Sequence, residues 1–169
     1  MAKHTLSVLV ENHAGVLSRV AGLFSRRGFN IDSLAVGVTE NPDISRMTIV
    51  VDGDEYTVEQ VSKQLNKLID VIKLKKLENS ESVRRELTLI KVAATASTRS
   101  EIIQIVGIFR ANIVDVSKST LTIEISGDEE KTEALEGMLR QFGIKEIVRT
   151  GTIAIERGNR IIRVGNGEE

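Results

Sequence analysis

Apolar residues in the first half of the chain recur with two alternating periods. Four short runs have an apolar residue at every second position, which predicts half-buried strands at 6–10, 34–38, 47–51 and 72–77. Two further runs have apolar residues at helical spacing, which predicts helices at 16–24 and 58–69. The order strand, helix, strand, strand, helix, strand is the ferredoxin-like (βαββαβ) arrangement.

The second half repeats this order. It follows a polar stretch of small residues at 78–82 that is typical of a linker. The same two periods predict helices at 102–109 and 135–142 and strands at 87–92, 112–116 and 121–125, with a last strand between Ile147 and Ile155. We therefore expect an α+β protein of two tandem ferredoxin-like domains. Their expected bounds are 1–78 and 83–157, followed by a loose tail at 158–169.

Composition excludes several classes of function. The 169 residues include 23 Lys and Arg against 24 Asp and Glu, a formal net charge of −1. That balance argues against a protein that binds nucleic acid or an acidic membrane, because such proteins need a basic surface. The apolar runs are too short to cross a bilayer. With no cysteine, the chain forms no disulfide and fits a reducing compartment, so we expect a cytoplasmic protein.

Catalytic and metal-binding constellations are missing from the sequence. The two histidines, His4 and His13, have no second histidine or carboxylate at a metal-ligand spacing, so no metal site is expected. The acidic run 52–55 lacks the twelve-residue pattern of a calcium loop and is expected to be a plain turn. No glycine-rich phosphate loop is present. These observations predict no catalytic residues in this chain.

The segment between the first strand and the first helix is more informative. Gly15 allows a ligand to approach the backbone closely, and the helix behind it begins with free N–H groups that attract a carboxylate. Asn12 offers donors and an acceptor to a zwitterion, and Asn30 could supply a second amide. The residues alone leave an alternative open, in which Asn12 and Gly15 only make a turn and cap the helix.

The residues around this segment resemble a known family. Residues 6–12 (LSVLVEN), 15–20 (GVLSRV) and 22–31 (GLFSRRGFNI) closely resemble the regulatory, or small, subunit of acetolactate synthase. Further matching positions are 33–34, 45–49, 85–87 and 108–110. The resemblance covers nearly the whole chain and weakens only in the tail. The first half is similar to an ACT domain, the ferredoxin-like ligand sensor of amino-acid metabolism.

The resemblance implies a role in the biosynthesis of valine, leucine and isoleucine. A subunit of this kind has no activity alone. It raises the activity of the large, catalytic subunit and confers feedback inhibition by valine. Thiamine diphosphate, magnesium and FAD belong to the catalytic subunit, a transferase, and this chain is expected to hold no cofactor. The family's ACT domains pair into a homodimer, and effector sites form where two protomers meet.

Carried over by position, the implied effector site comprises two segments. The loop segment is Asn12, His13, Ala14, Gly15, Val16 and Leu17, and the facing segment from the partner protomer is Asn30 and Ile31. The second half lacks the Asn-x-x-Gly pattern and has 94–97 (ATAS) in its place. Two other classes remain as alternatives. One is a free-standing amino-acid sensor that regulates another enzyme or transcription, and the other is a small ferredoxin-like enzyme.

Overall fold

The first half of the chain folds as one antiparallel sheet with two helices. The computed structural model describes residues 2–165. The elements in chain order are β1 (Ala2–Glu11), α1 (Val16–Arg27), β2 (Ile31–Val38), β3 (Ile44–Gly53), α2 (Glu55–Leu65) and β4 (Val71–Leu77). The strand order is β2-β3-β1-β4, so β2 and β4 lie at the edges. The expected βαββαβ order of this half is confirmed.

The core lies between the sheet and the helices. Alternate residues of the two central strands point to this side because side chains of a strand alternate between faces. The buried residues of the two strands are Leu6, Val8, Val10, Met47, Ile49 and Val51. They pack against the apolar faces of α1 and α2, which include Phe24 and Leu65. Full burial of each such side chain contributes about 1.5–3 kcal/mol to folding.

Helix α2 ends earlier than the spacing of apolar residues predicts. The sequence carries the helix to Ile69, whereas α2 ends at Leu65. The N–H groups of Lys67 and Leu68 donate to carbonyls three residues back, which tightens the chain into turns and ends the α-helix. Leu68 still packs against the core, but Ile69 is 94% exposed. The helical spacing of apolar residues therefore extends past the end of the helix itself.

The second half has the same element order. Its elements are β5 (Ser82–Ala93), α3 (Arg99–Ile108), β6 (Asn112–Val116), β7 (Thr120–Gly127), α4 (Glu129–Leu139) and β8 (Ile144–Arg149). The strand order β6-β7-β5-β8 matches that of the first half, so the α+β class with two ferredoxin-like units is confirmed. The expected linker is a single 3₁₀ turn at Asn79–Glu81, and Ser82 already begins β5.

Residues after Gly151 return to the first half. A first unit contains the chain up to Val83 together with the segment from Thr152 onward, and a second unit contains Arg84–Gly151. The single last strand expected between Ile147 and Ile155 is wrong. It is two strands, β8 and β9 (Ile153–Glu156), because Gly151 between them has a φ of +84° that turns the chain. The sequence-based bound at 157 thus differs from the bound in the structure.

The returning segment covers the sheet face opposite the helices. There Leu9, Ile44 and Leu77 form a buried cluster with two late residues, Ala154 and Ile162. The segment is also held by polar contacts: Lys75 Nζ lies 2.7 Å from Glu156 Oε1, and the Thr152 N–H donates to Ser33 Oγ at 2.9 Å. The expectation of a loose tail from 158 is wrong at Ile162, whose side chain is buried. Residues 166–169 of that expected tail lie outside the described residues.

Ile162 is expected to stabilise the first unit. Ile162→Ala removes buried methyl groups from the cluster and should cost about 2 kcal/mol of unfolding free energy. The neighbouring Ile161, 54% exposed, is the matched control, and Ile161→Ala should cost less than about 0.5 kcal/mol. Urea unfolding of both variants measures the difference. Equal costs at the two positions would contradict the assignment of Ile162 to the core.

Candidate functional site

The loop between β1 and α1 is tethered to two neighbouring segments. The Glu11 N–H donates to the Asp70 carbonyl at 2.9 Å, just before β4. The Asn12 N–H donates to the Asp43 carbonyl at 2.8 Å, and Asn12 Nδ2 donates to the Pro42 carbonyl at 2.7 Å. The amide nitrogen of Asn12 therefore secures the loop to the β2–β3 turn. Within residues 2–165, the side-chain oxygen of Asn12 and the second N–H of Nδ2 form no hydrogen bond, so both remain for a ligand.

Helix α1 begins with an uncapped turn. Gly15 precedes the helix with a φ of +87° and has no side chain that could cap it. The first bond of the helix runs from the Arg19 N–H to the Gly15 carbonyl at 3.0 Å. The N–H groups of residues 16–18 therefore precede the helical bonding pattern and carry partial positive charge at the helix end. This turn can accept a small carboxylate.

The side chains at this turn divide between core and surface. Val16 is buried and packs in the core, so only its backbone is available to a ligand. Leu17 is nearly half exposed, and Ala14 is exposed. An apolar ligand group beside the helix start would therefore meet Leu17 rather than Val16.

Asp70 lies behind the loop, and its carboxylate contacts the side chains of His13 and Arg19. Its side chain is 8% exposed, with Oδ1 3.0 Å from His13 Nε2 and Oδ2 accepting a hydrogen bond from Arg19 Nε. That bond from Arg19, together with the charges of Arg19 and His13, holds the pKa of Asp70 below its ordinary value of 3.8, although desolvation opposes the shift. The carboxylate is therefore charged throughout the neutral range.

Arg19 also forms one wall of the loop. A Cβ atom added at Gly15 would lie 3.4 Å from Nη1 of Arg19, so the guanidinium passes close to the glycine. Sequence reasoning missed both Arg19 and Asp70 as members of this site. The signal was a lone carboxylate within the apolar run 68–72, since a charged residue buried in such a run needs a partner.

Asn30 and Ile31 lie far from this loop within one chain. Ile31 and His4 both face Val51, at the end of the sheet where β1 begins. The loop follows Glu11, at the opposite end, where Glu11 faces Ile44. The seven steps along β2 span about 23 Å. The structure thus brings residues 12–17 together and leaves Asn30 and Ile31 at the other end.

Strand β2 has an open edge. Within the part of the chain that the structure describes, its one strand neighbour is β3. Val36 and Val38 on this strand are exposed, the latter by 62%. An unpaired strand edge with apolar side chains is a surface for pairing with another strand.

The corresponding loop of the second unit is closed by its own hydroxyl groups. The Thr95 N–H donates to Thr98 Oγ1 at 2.9 Å, and Thr95 Oγ1 lies 2.9 Å from Ser97 Oγ. The loop contains no glycine, and its hydroxyl groups bond to one another and to the Thr95 N–H. The second unit therefore does not repeat the site at α1.

Other kinds of site find no support in residues 2–165. No group of three or more metal-ligating side chains occurs among them. None of the helices in this range is both long enough and apolar enough to span a membrane.

Comparisons with known proteins agree with the fold. Residues 6–73 match the family model described as "AHAS small subunit-like ACT domain", and residues 85–158 match "Small subunit of acetolactate synthase". The first unit thus defines the chain as an ACT-domain protein.

The relatives identify the family more narrowly. A probable acetolactate synthase small subunit of Archaeoglobus fulgidus is 60% identical over 158 residues, which are 94% of this chain and 99% of the relative. The acetolactate synthase small subunit of Mycolicibacterium smegmatis is 59% identical over 157 residues, 93% of this chain and 92% of the relative. The chain belongs to the acetolactate synthase small-subunit family, as the resemblance implied, and that membership supports a regulatory role.

A solved structure agrees over nearly the full length. The crystal structure of the acetolactate synthase small subunit from Thermotoga maritima superposes with a TM-score of 0.87 at 44% sequence identity. The match covers 95% of this chain and 100% of the other.

Proposed function

We propose that this chain regulates an acetolactate synthase as its non-catalytic subunit, in the cytoplasm. It binds the large catalytic subunit, raises the activity of that subunit, and makes it subject to feedback inhibition by valine. The catalytic subunit carries thiamine diphosphate, magnesium and FAD. The names of the relatives support the partner, since a small subunit assembles with a large one.

The uncapped start of α1 is the observation that carries the valine site. The carboxylate of valine accepts hydrogen bonds from the N–H groups at Val16–Ser18, which have no partner within the helix. Its isopropyl group packs beside the exposed part of Leu17. A longer or polar side chain would fit this small apolar surface less well.

The Asn12 oxygen is one acceptor for the ammonium group, and the second amide, that of Asn30, does not lie near it in a single chain. Asn30 lies about 23 Å along the sheet from the loop of its own chain. Two chains that pair antiparallel through their β2 edges would place Asn30 and Ile31 of one beside residues 12–17 of the other. The open edge of β2 and its exposed valines support this homodimer.

A site shared by two chains explains how valine acts on the catalytic subunit. Valine stabilises the dimer geometry in which both segments face each other, and it can shift the equilibrium only by its difference in affinity between geometries. Coupling of this kind typically amounts to about 1–3 kcal/mol.

Reconstitution with the catalytic subunit tests this function. We expect no acetolactate from the chain alone, an increase when it is mixed with the catalytic subunit, and loss of the increase when valine is added. Calorimetry of the chain alone with valine should show binding. Activity without the partner would support the small enzyme instead, and valine binding without any effect on the catalytic subunit would support a free-standing sensor.

A further inference from the structure

We propose that Asp70 is the positioning residue of the effector loop, and that its bond to His13 makes the order of that loop depend on pH. The inference deepens the valine site and rests on the proposed function for its effect on valine. Its structural part concerns the loop of the free chain and can be measured without any ligand.

Asp70 contacts the loop at three places. Its carbonyl accepts the Glu11 N–H where β1 ends, its Oδ1 faces His13 in the loop, and its Oδ2 binds Arg19 in the first turns of α1. These contacts lie on both sides of Gly15. One residue, itself almost fully buried, therefore holds the strand end, the loop and the helix start in fixed relation.

The Arg19 contact determines the shape beside Gly15. The guanidinium has one nitrogen, Nε, bonded to Asp70, and Nη1 lies beside the glycine. Without Asp70 the long side chain would lose the bond that fixes its direction. The space next to the N–H groups of α1 would then vary with the rotamers of Arg19.

The His13 contact is complete only in the protonated imidazole. Nε2 lies 3.0 Å from Asp70 Oδ1, and Nδ1 lies 3.1 Å from the Ala14 carbonyl oxygen. Both ring nitrogens thus face acceptors, whereas a neutral imidazole carries only one N–H. Histidine side chains change charge in the range of about pH 5 to 8. The full set of bonds therefore forms at the acidic end of that range and loses one bond as the pH rises.

Other charged groups lie on the elements around His13. Arg19 on α1 competes for the same carboxylate and stays charged at every pH of interest, so the anchor weakens at high pH but persists. Glu11 ends the strand before the loop, and Asp43 on the β2–β3 turn receives the Asn12 N–H through its carbonyl. We therefore expect the pH effect to be several-fold smaller than the effect of removing Asp70.

Hydrogen exchange in the full chain, without ligand, tests the anchor. The probes are the hydrogen-bonded N–H groups of Glu11, Asn12 and Arg19, with protection factors corrected for intrinsic rates at pH 6 and pH 8. Asp70→Asn should lower protection about tenfold at pH 6, since the lost charged bonds correspond to at least one decade, and by less at pH 8, where the parent has itself lost the His13 bond. The protection factors of the parent chain should fall about threefold from pH 6 to pH 8. His13→Gln should abolish that difference.

Two variants keep the test decisive. Glu59→Gln removes a surface ion pair with Lys63 on α2, away from the loop, and should leave all three probes unchanged. His13 is about half exposed, so His13→Gln retains the fold even if Asp70→Asn does not. A pH dependence in His13→Gln equal to that of the parent would overturn the inference, as would parental protection in folded Asp70→Asn.

Valine calorimetry on the same variants separates the inference from the proposed function. We expect Asp70→Asn to weaken valine binding about tenfold and the parent to bind about threefold more weakly at pH 8 than at pH 6. If valine fails to bind the parent chain while the protection factors change as expected, the proposed function is wrong and the anchor stands. If valine binds equally to Asp70→Asn and the parent, the anchor has no role in binding and the inference fails.

Discussion

Gly15→Asp is expected to abolish valine inhibition and to leave activation of the catalytic subunit intact. The new carboxylate would lie beside Arg19, whose Nη1 is 3.4 Å from the position of the added Cβ, and next to the free N–H groups of α1. It would satisfy these groups from within the chain and repel the carboxylate of valine. The loss of charged hydrogen bonds and the added repulsion should weaken binding about a hundredfold. Inhibition curves of the reconstituted enzyme and calorimetry measure the effect.

Two variants separate charge from shape in this prediction. The Asn side chain of Gly15→Asn has nearly the same shape as Asp and tolerates the left-handed backbone at φ +87°, but it adds no charge. Gly15→Asn should therefore weaken valine binding less than Gly15→Asp does. Gly22→Asp places a carboxylate beside Arg26 on the same helix, away from the helix start, and should keep valine inhibition. Full valine sensitivity in folded Gly15→Asp would disprove the site.

Mixing two insensitive variants is expected to restore valine binding. In a two-fold dimer, each proposed site combines the loop of one chain with Asn30 of the other. A dimer of one Gly15→Asp chain and one Asn30→Ala chain then has both changes in one site and neither in the other. After random exchange half the dimers are mixed, so about a quarter of the parental number of sites should bind with parental affinity. Calorimetry before and after exchange measures this recovery.

The matched control is a mixture whose two changes lie in the same segment. Gly15→Asp mixed with Asn12→Ala leaves every loop altered, so no intact site can form and no recovery is expected. Subunit exchange is verified separately with a tagged chain. If the first mixture binds no better than its unmixed components, the effector site is not shared between chains, and the β2-paired homodimer loses its functional support.

The periodicity of apolar residues was sufficient to predict the elements that have one buried face. In β1, Leu6, Val8 and Val10 all point to the helices, so their alternation directly reflects the buried face of the strand. The prediction failed where an apolar residue does not pack as part of the helix or strand next to it in sequence. Ile69 follows the helical period yet lies exposed in a turn, and Ile162 packs on a sheet far away in sequence. Spacing alone does not encode such long-range contacts.

The backbone of the candidate site could be predicted from the sequence, but the contacts of its side chains could not. The turn at Gly15 and the uncapped start of α1 are present in the structure, and both follow from local rules of turns and helix ends. Asn12 was expected to face a ligand with its whole amide, but its nitrogen binds the Pro42 carbonyl thirty residues away. Asp70 and Arg19 are 51 residues apart, and no local pattern joins them.

The return of residues 152–162 to the first unit has a consequence for biosynthesis. A ribosome that has made the first βαββαβ unit has not yet made the segment that covers its second face, so Leu9, Ile44 and Leu77 stay bare while the whole second unit is translated. The nascent chain thus carries an apolar surface that its own late residues cover in the finished fold. Translation that stops before residue 152 would release a polypeptide prone to aggregate through that face.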